Sequence, residues 1–167
     1  MDIKLLSSKY KIRVLNKEDV SIIYSLLSEN TEFFRHCPPF VTYDSIISDM
    51  HALPPKKTMD DKYYIGYFLD DELIAVMDLI DNCPEKDSVF IGFFMVKKSL
   101  HRNSVGKSII NELISYLNSM HYKEVRLGCI ESNIVAYKFW SNLGFIDTSL
   151  KNVTDLYTVN ILKKVIG

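Results

Sequence analysis

The sequence predicts an α/β (α+β mixed) protein: a central mixed, mostly antiparallel sheet with helices on both faces. Three observations lead there. Apolar runs of strand length follow one another at 63–69, 72–80 and 88–96. Segments of helical period precede and follow that run. From 88 onward strands and helices alternate, a pattern that places helices against a sheet.

Taken in order, 10–15 (YKIRVL) reads as a short strand, and Asn16 is placed to cap a helix over 17–29. Val20, Ile23, Tyr24 and Leu27 fall on one stripe of that helix. Residues 30–60 are the least legible. Pro38-Pro39 and Pro54-Pro55 bracket a helix near 42–52, followed by a polar loop. Asp70-Asp71 joins the next two strands as a hairpin turn, and 88–96 is apolar enough to be covered on both faces. After the polar turn KKSLHRNSVGKS, Val105, Ile109, Leu113, Leu117 and Met120 mark an amphipathic helix. A strand at 125–130, a helix at 133–143 closed by Gly144, and strands near 145–150 and 154–162 complete the order.

Composition narrows the function. The 167 residues suit one domain, 1–167, without repeats or linkers. Twenty basic residues against twenty-one acidic leave a formal charge of −1, without the basic excess of a nucleic-acid binder. No apolar window is long enough for a membrane span and the N-terminus lacks a signal-peptide pattern, so a cytoplasmic location is expected. Cys37, Cys83 and Cys129 are too scattered for a zinc site or a disulfide framework, and the four histidines show no metal spacing.

Function concentrates in 91–113, IGFFMVKKSLHRNSVGKSIINEL. Small residues feeding a helix N-terminus expose backbone N–H groups where the helix dipole is positive, which suits a phosphate. A purely structural reading makes Ser104 an N-cap and Gly106 a fit to a tight turn. VGKS also matches the end of a P-loop, but the first glycine of that motif would fall on His101.

The segment resembles the acyl-CoA-binding unit of the GNAT superfamily, a strand leading to a Q/R-x-x-G-x-G/A turn and a helix. His101 takes the Gln/Arg position, Ser104 the first glycine and Gly106 the second. Residues 125–145, VRLGCIESNIVAYKFWSNLGF, resemble the family's later strand–helix unit, with Asn133, Ala136, Gly144 and Phe145 at matching positions. The resemblance covers roughly 10–162. It implies a GNAT-like fold and N-acetyltransferase activity, moving an acetyl group from acetyl-CoA to an amine acceptor without a metal. A monomer and a homodimer are equally compatible with it. The implied cofactor-binding set is Met95, Val96, His101, Arg102, Asn103, Ser104, Val105, Gly106, Lys107, Asn133, Tyr137 and Trp140. Met95 and Val96 would offer backbone groups to the pantetheine, and a Cβ at Gly106 would crowd the pyrophosphate. Serine at position 104 implies φ/ψ that a side chain tolerates.

The base is the open element. An alkylammonium is neutral about once in 2,500 molecules at pH 7, so deprotonation costs roughly 4–5 kcal/mol. Strand 88–96 has no carboxylate, which leaves Asp78 and Glu131 as catalytic candidates. Asp78 alternates with Ile74, Val76 and Ile80, on an otherwise apolar face. The family's usual tyrosine acid is replaced by Trp140, whose indole cannot donate a proton in this range. A thiolate of pKa near 8.5 leaves unaided at a cost of about 2 kcal/mol at pH 7. Two alternatives stand beside a small-molecule enzyme: a non-catalytic acyl-CoA-binding sensor or scaffold, and a protein acyltransferase. Aromatic residues in 29–45 lie where the acceptor would be shaped.

Overall fold

The computed structural model describes residues 1–167. Seven strands form one sheet in the order β1-β2-β3-β4-β5-β7-β6. They are β1 (Lys11–Val14), β2 (Lys62–Leu69), β3 (Glu72–Asp81), β4 (Ser88–Val96), β5 (Glu124–Ile130), β6 (Ile146–Val153) and β7 (Thr158–Val165). Only β4 and β5 run parallel; every other neighbour is antiparallel. Helices α1 (Val20–Ser28), α2 (Thr31–His36) and α3 (Tyr43–His51) precede β2, α4 (Val105–Ser119) links β4 to β5, and α5 (Ile134–Asn142) follows β5.

Local chemistry explains most boundaries. Asn16 and Asp19 form a reciprocal capping box, but the first turn is a 3₁₀ turn at Lys17–Asp19, and the α-helix proper begins at Val20. Arg13 clamps Asp19 through two hydrogen bonds of 2.8 and 2.7 Å, tying β1 to that turn. Asp70 and Asp71 both have positive φ, the geometry of a two-residue type I′ hairpin. Gly144, at φ +85°, ends α5 in the left-handed conformation.

The core has two halves, one on each face of the sheet. Against α4 and α5 lie Ile74, Ala75, Met77, Leu79, Val89, Ile91, Ile109, Ile110, Leu113, Leu117 and Trp140. Against α1 and α3 lie Ile23, Leu27, Ile46, Met50, Val76 and Met95. The expected helices on both faces are therefore present.

Four details differ from the sequence reading. The short helix α2 was hidden in the illegible 30–60 stretch. The α4 stripe runs through Ile109, Ile110, Leu113, Tyr116 and Leu117, whereas Met120 lies beyond the last turn and is exposed. Each terminal strand ends three residues later than expected. Three residues of β6, 148–150, oppose Ile161 alone, with Ser149 at φ +65°, and a bulge of that size escapes period-two counting. Finally, a bulge at Ile74 turns that side chain to the α4/α5 face, so Asp78 shares its face with Val76 and Ile80 but not with Ile74.

Candidate active site

The sheet opens between its two parallel strands. β4 and β5 pair only from Ser88/Glu124 to Ile91/Leu127, and beyond that point they diverge. The next residue on each strand is a glycine, Gly92 on β4 and Gly128 on β5, and each is exposed despite its mid-strand position. Gly92 is also the extra residue of a β-bulge, since Asp78 pairs with Phe93 while Leu79 pairs with Ile91. A slot thus passes from one face of the sheet to the other.

Beyond the bulge β4 bonds β3 at alternate residues. The Lys97 N–H donates to the Ile74 carbonyl at 2.8 Å, so Met95 turns its polar backbone groups to Val76. The same alternation turns those of Phe94 and Val96 into the slot. Phe94, rather than Met95, is therefore the companion of Val96 with open backbone groups. The Val96 carbonyl accepts from His101 Nε2 at 2.8 Å and from Asn30 Nδ2 at 3.4 Å. Because a carbonyl only accepts, Nε2 carries the proton and His101 clasps the turn to the strand end.

On the α4/α5 face the turn delivers α4. The N–H groups of Arg102, Ser104, Val105, Gly106 and Lys107 have no partner within the chain. Arg102 and Lys107 are exposed and form no ion pair, and Asn103 is exposed beside them. This is an anion cradle at a helix N-terminus. Ser104 has φ +58° and its side chain makes no cap hydrogen bond, which corrects the reading of a tolerant, capping serine. The left-handed region explains why glycine suits that position and costs serine about 1 kcal/mol. Ser104→Gly is expected to raise the melting temperature by about 2–4 °C; an unchanged or lower value in a thermal scan would refute the strain. A Cβ on Gly106 would touch Phe139 and Val96 at 3.4–3.5 Å, ordinary contact, so its pressure falls on that wall and not on an anion.

At the far side of the slot, Asn133 caps α5 by accepting the Ala136 N–H at 3.0 Å, which leaves its NH₂ group free. Tyr137 is half-exposed one turn on. Trp140 is 7 % exposed and packs among Phe94, Phe139 and Phe145, with ring centroids 6.0, 4.9 and 5.2 Å away. It is a core residue, and the partly buried Phe139 packs between it, Phe94 and Gly106.

The opposite face holds a cleft of about 420 Å³ that includes Asp78, Phe90, Gly92 and Arg126, with Leu53, Pro54 and Leu150 among its walls. Asp78 lies over the bulge so closely that a Cβ on Gly92 would sit 2.6 Å from its Oδ2. That oxygen accepts from Lys62 Nζ at 2.7 Å, and the Lys62 side chain is only 1 % exposed. Asp78 Oδ1 is buried without any hydrogen-bond partner. Burial raises the Asp78 carboxyl above the usual carboxylate range, against the opposing hydrogen bond and charge of Lys62; the nearby Asp49 carboxylate adds to the rise. Asp49, on α3, is itself raised by desolvation and lowered by Lys62.

α2 straps the rim. Phe33 packs on Phe93 at 5.7 Å, and His36 Nδ1 meets Ser132 Oγ at 2.8 Å across the slot. Glu131 is exposed and pairs with Lys151 of β6, outside the cleft. The structure therefore brings Asp78, and not Glu131, to the bulge. No three His, Cys, Asp or Glu side chains gather as a metal site, and no helix is long and apolar enough to cross a membrane.

A split parallel strand pair thus has unpaired N–H groups at a helix N-terminus on one face and a carboxylate-floored cleft on the other. The profile described as the Acetyltransferase (GNAT) family matches residues 21–145, and the chain belongs to that family. Among solved structures, a probable acetyltransferase from Staphylococcus epidermidis ATCC 12228 superposes with TM-score 0.69 at 23 % identity, covering 95 % of this chain and 99 % of the other. The PaiA N-acetyltransferase of Thermoplasma acidophilum, solved with coenzyme A, gives 0.66 at 18 %, covering 93 % and 98 %. The ribosomal-protein-S18-alanine N-acetyltransferase of Escherichia coli gives 0.66 at 14 %, covering 95 % and 94 %. At these identities the structures establish the shared fold. No curated protein matches the chain in sequence.

Sequence reasoning missed Lys62, Asn30, Gly92 and Arg126. Mid-strand Gly92 and Gly128 were the available signal, because glycine inside an apolar strand marks a bulge or a close approach.

Proposed function

We propose that this acetyltransferase moves the acetyl group of acetyl-CoA directly to a primary amine, with Asp78 receiving the amine proton. The observation that carries the reading is a carboxylate set over the Gly92 bulge with one oxygen, the buried Oδ1, left without a hydrogen-bond partner. The unpaired N–H groups of 102–107 fit a pyrophosphate, and the N–H groups of Phe94 and Val96 fit pantetheine amides lying along β4. The amine arrives as an ammonium, loses its proton to Oδ1 and attacks the thioester carbonyl carbon. A C–N bond forms, the C–S bond breaks, the nitrogen sheds its second proton to solvent as the amide forms, and the thiolate takes a proton from solvent. A carboxyl raised by burial lies closer to the amine in proton affinity, which favours that transfer.

One observation favours a second reading, an acyl-CoA sensor without turnover: Trp140 is buried where the family carries its tyrosine acid. Two measurements separate the readings. CoA at ~100 times its dissociation constant should raise the melting temperature by about 5–11 °C, and adenosine alone by less. A panel of amines with acetyl-CoA should then release free thiol. Absence of any shift would end the acyl-CoA assignment, and a shift without thiol release would establish the sensor.

A further inference from the structure

We infer that the acceptor carries an anionic group as well as its amine, and that Arg126 receives that group. The inference rests on the transferase reading above and names the substrate class for the same cleft.

The sheet supplies the placement. Ile80, Phe90 and Arg126 are cross-strand partners in one row across β3, β4 and β5. All three line the cleft, so their side chains share the α1/α3 face. Asp78 stands two residues along β3 from Ile80, in the next row on that face. Two strand spacings and two residue rises separate the Asp78 and Arg126 backbones by about 12 Å. The long arginine side chain shortens that span. One cleft therefore has a carboxylate at one end, a guanidinium at the other and the Phe90 ring between them.

Each charged group has unused valence. Arg126 donates from Nε to Glu124 Oε1 at 2.5 Å, and neither of its terminal NH₂ groups has a partner in the chain. Its side chain is largely covered, 21 % exposed, so those donors are held at the cleft instead of ranging through solvent. Two parallel N–H donors of a guanidinium fit a carboxylate or a phosphate in bidentate fashion. At the other end, Asp78 Oδ1 lacks a donor. An amine, an apolar spacer over Phe90 and an anion would satisfy both ends together. An unsubstituted alkylamine would satisfy one.

The test uses the full chain with saturating acetyl-CoA. Unbranched ω-amino acids of graded length, the matched alkylamines and matched aminoalkyl phosphates are compared by thiol release. The anionic acceptors should show kcat/KM at least about 10-fold above the alkylamines, the scale of a charged hydrogen-bonded contact. Preference between carboxylate and phosphate identifies the anion. In Arg126→Gln that ratio should collapse toward one, and Arg126→Lys should restore part of it. Equal rates for anionic and neutral acceptors in the wild type would overturn the inference, whatever the fate of the variants. Calorimetric titration of the same acceptors into the protein–CoA complex separates this result from the reading beneath it. Arg126-dependent binding without turnover would keep the inference and remove the transferase. Turnover of alkylamines with no Arg126-dependent preference would do the reverse.

Discussion

Asp78→Asn should lower kcat by about 10²-fold or more, the usual scale for a general base, while the dissociation constant for CoA stays put. The carboxylate stands on the cleft side of the bulge and the helix N-terminus proposed for the CoA phosphates on the other, so the two measurements address different faces of the sheet. The pH profile carries the sharper signature. Burial raises the Asp78 carboxyl, and only its ionised form can accept the amine proton. Activity should therefore climb with pH through a limb lying above the ordinary carboxylate range, and Asp78→Asn should abolish that limb. Stability should move the opposite way. A carboxyl raised on folding contributes stability that is complete below the unfolded pKa of about 3.9 and is lost as pH rises through the raised value. The asparagine variant should lack this dependence. Unchanged turnover in Asp78→Asn would remove the residue from the chemistry.

Lys62→Met should be the most destabilising single change in the site. Lys62 and Asp78 are nearly dry, and methionine keeps the volume of the stem while leaving a buried carboxylate unpaired. Breaking one side of such a pair costs about 3–5 kcal/mol, a fall in melting temperature of roughly 6–20 °C for a domain this size. Removing both charges in Lys62→Met/Asp78→Asn should recover most of that loss, because the penalty belongs to the charge left alone. A Lys62→Met protein that melts within about 2 °C of wild type would show that water reaches the pair. Asp78→Asn leaves Lys62 as the buried charge alone, so it should cost stability as well as rate, and its kcat is read below its own melting transition.

Much of the architecture was legible because its causes are local. The amphipathic period of α4, the Asp70-Asp71 turn, the Asn16 and Asn133 caps and the Gly144 stop each act within a few residues. The cradle at 101–107 was legible for the same reason, since a turn and a helix N-terminus are contiguous in the chain. Its strain was not, because Ser104 reveals its left-handed φ only when the turn is built.

The acceptor side was decided by tertiary structure, and two bulges decided it. Counted back from the hairpin turn, an unbroken β2–β3 ladder would pair Asp78 with Tyr63 and leave Lys62 on the opposite face. The extra residue at Ile74 shifts the register by one, pairs Asp78 with Tyr64, and brings Lys62 beneath the carboxylate. The second bulge, at Gly92, leaves the β4 backbone bare where Asp78 needs room and precedes the parting of β4 from β5. Arg126 joins the same cleft only because the parallel β4–β5 register sets it beside Phe90. By itself the sequence determined most of the helices, the strands and the turn that feeds α4, since each follows from neighbours along the chain. Which charges meet across the sheet depended on single-residue shifts of register, because a shift of one residue moves every side chain of a strand to the other face.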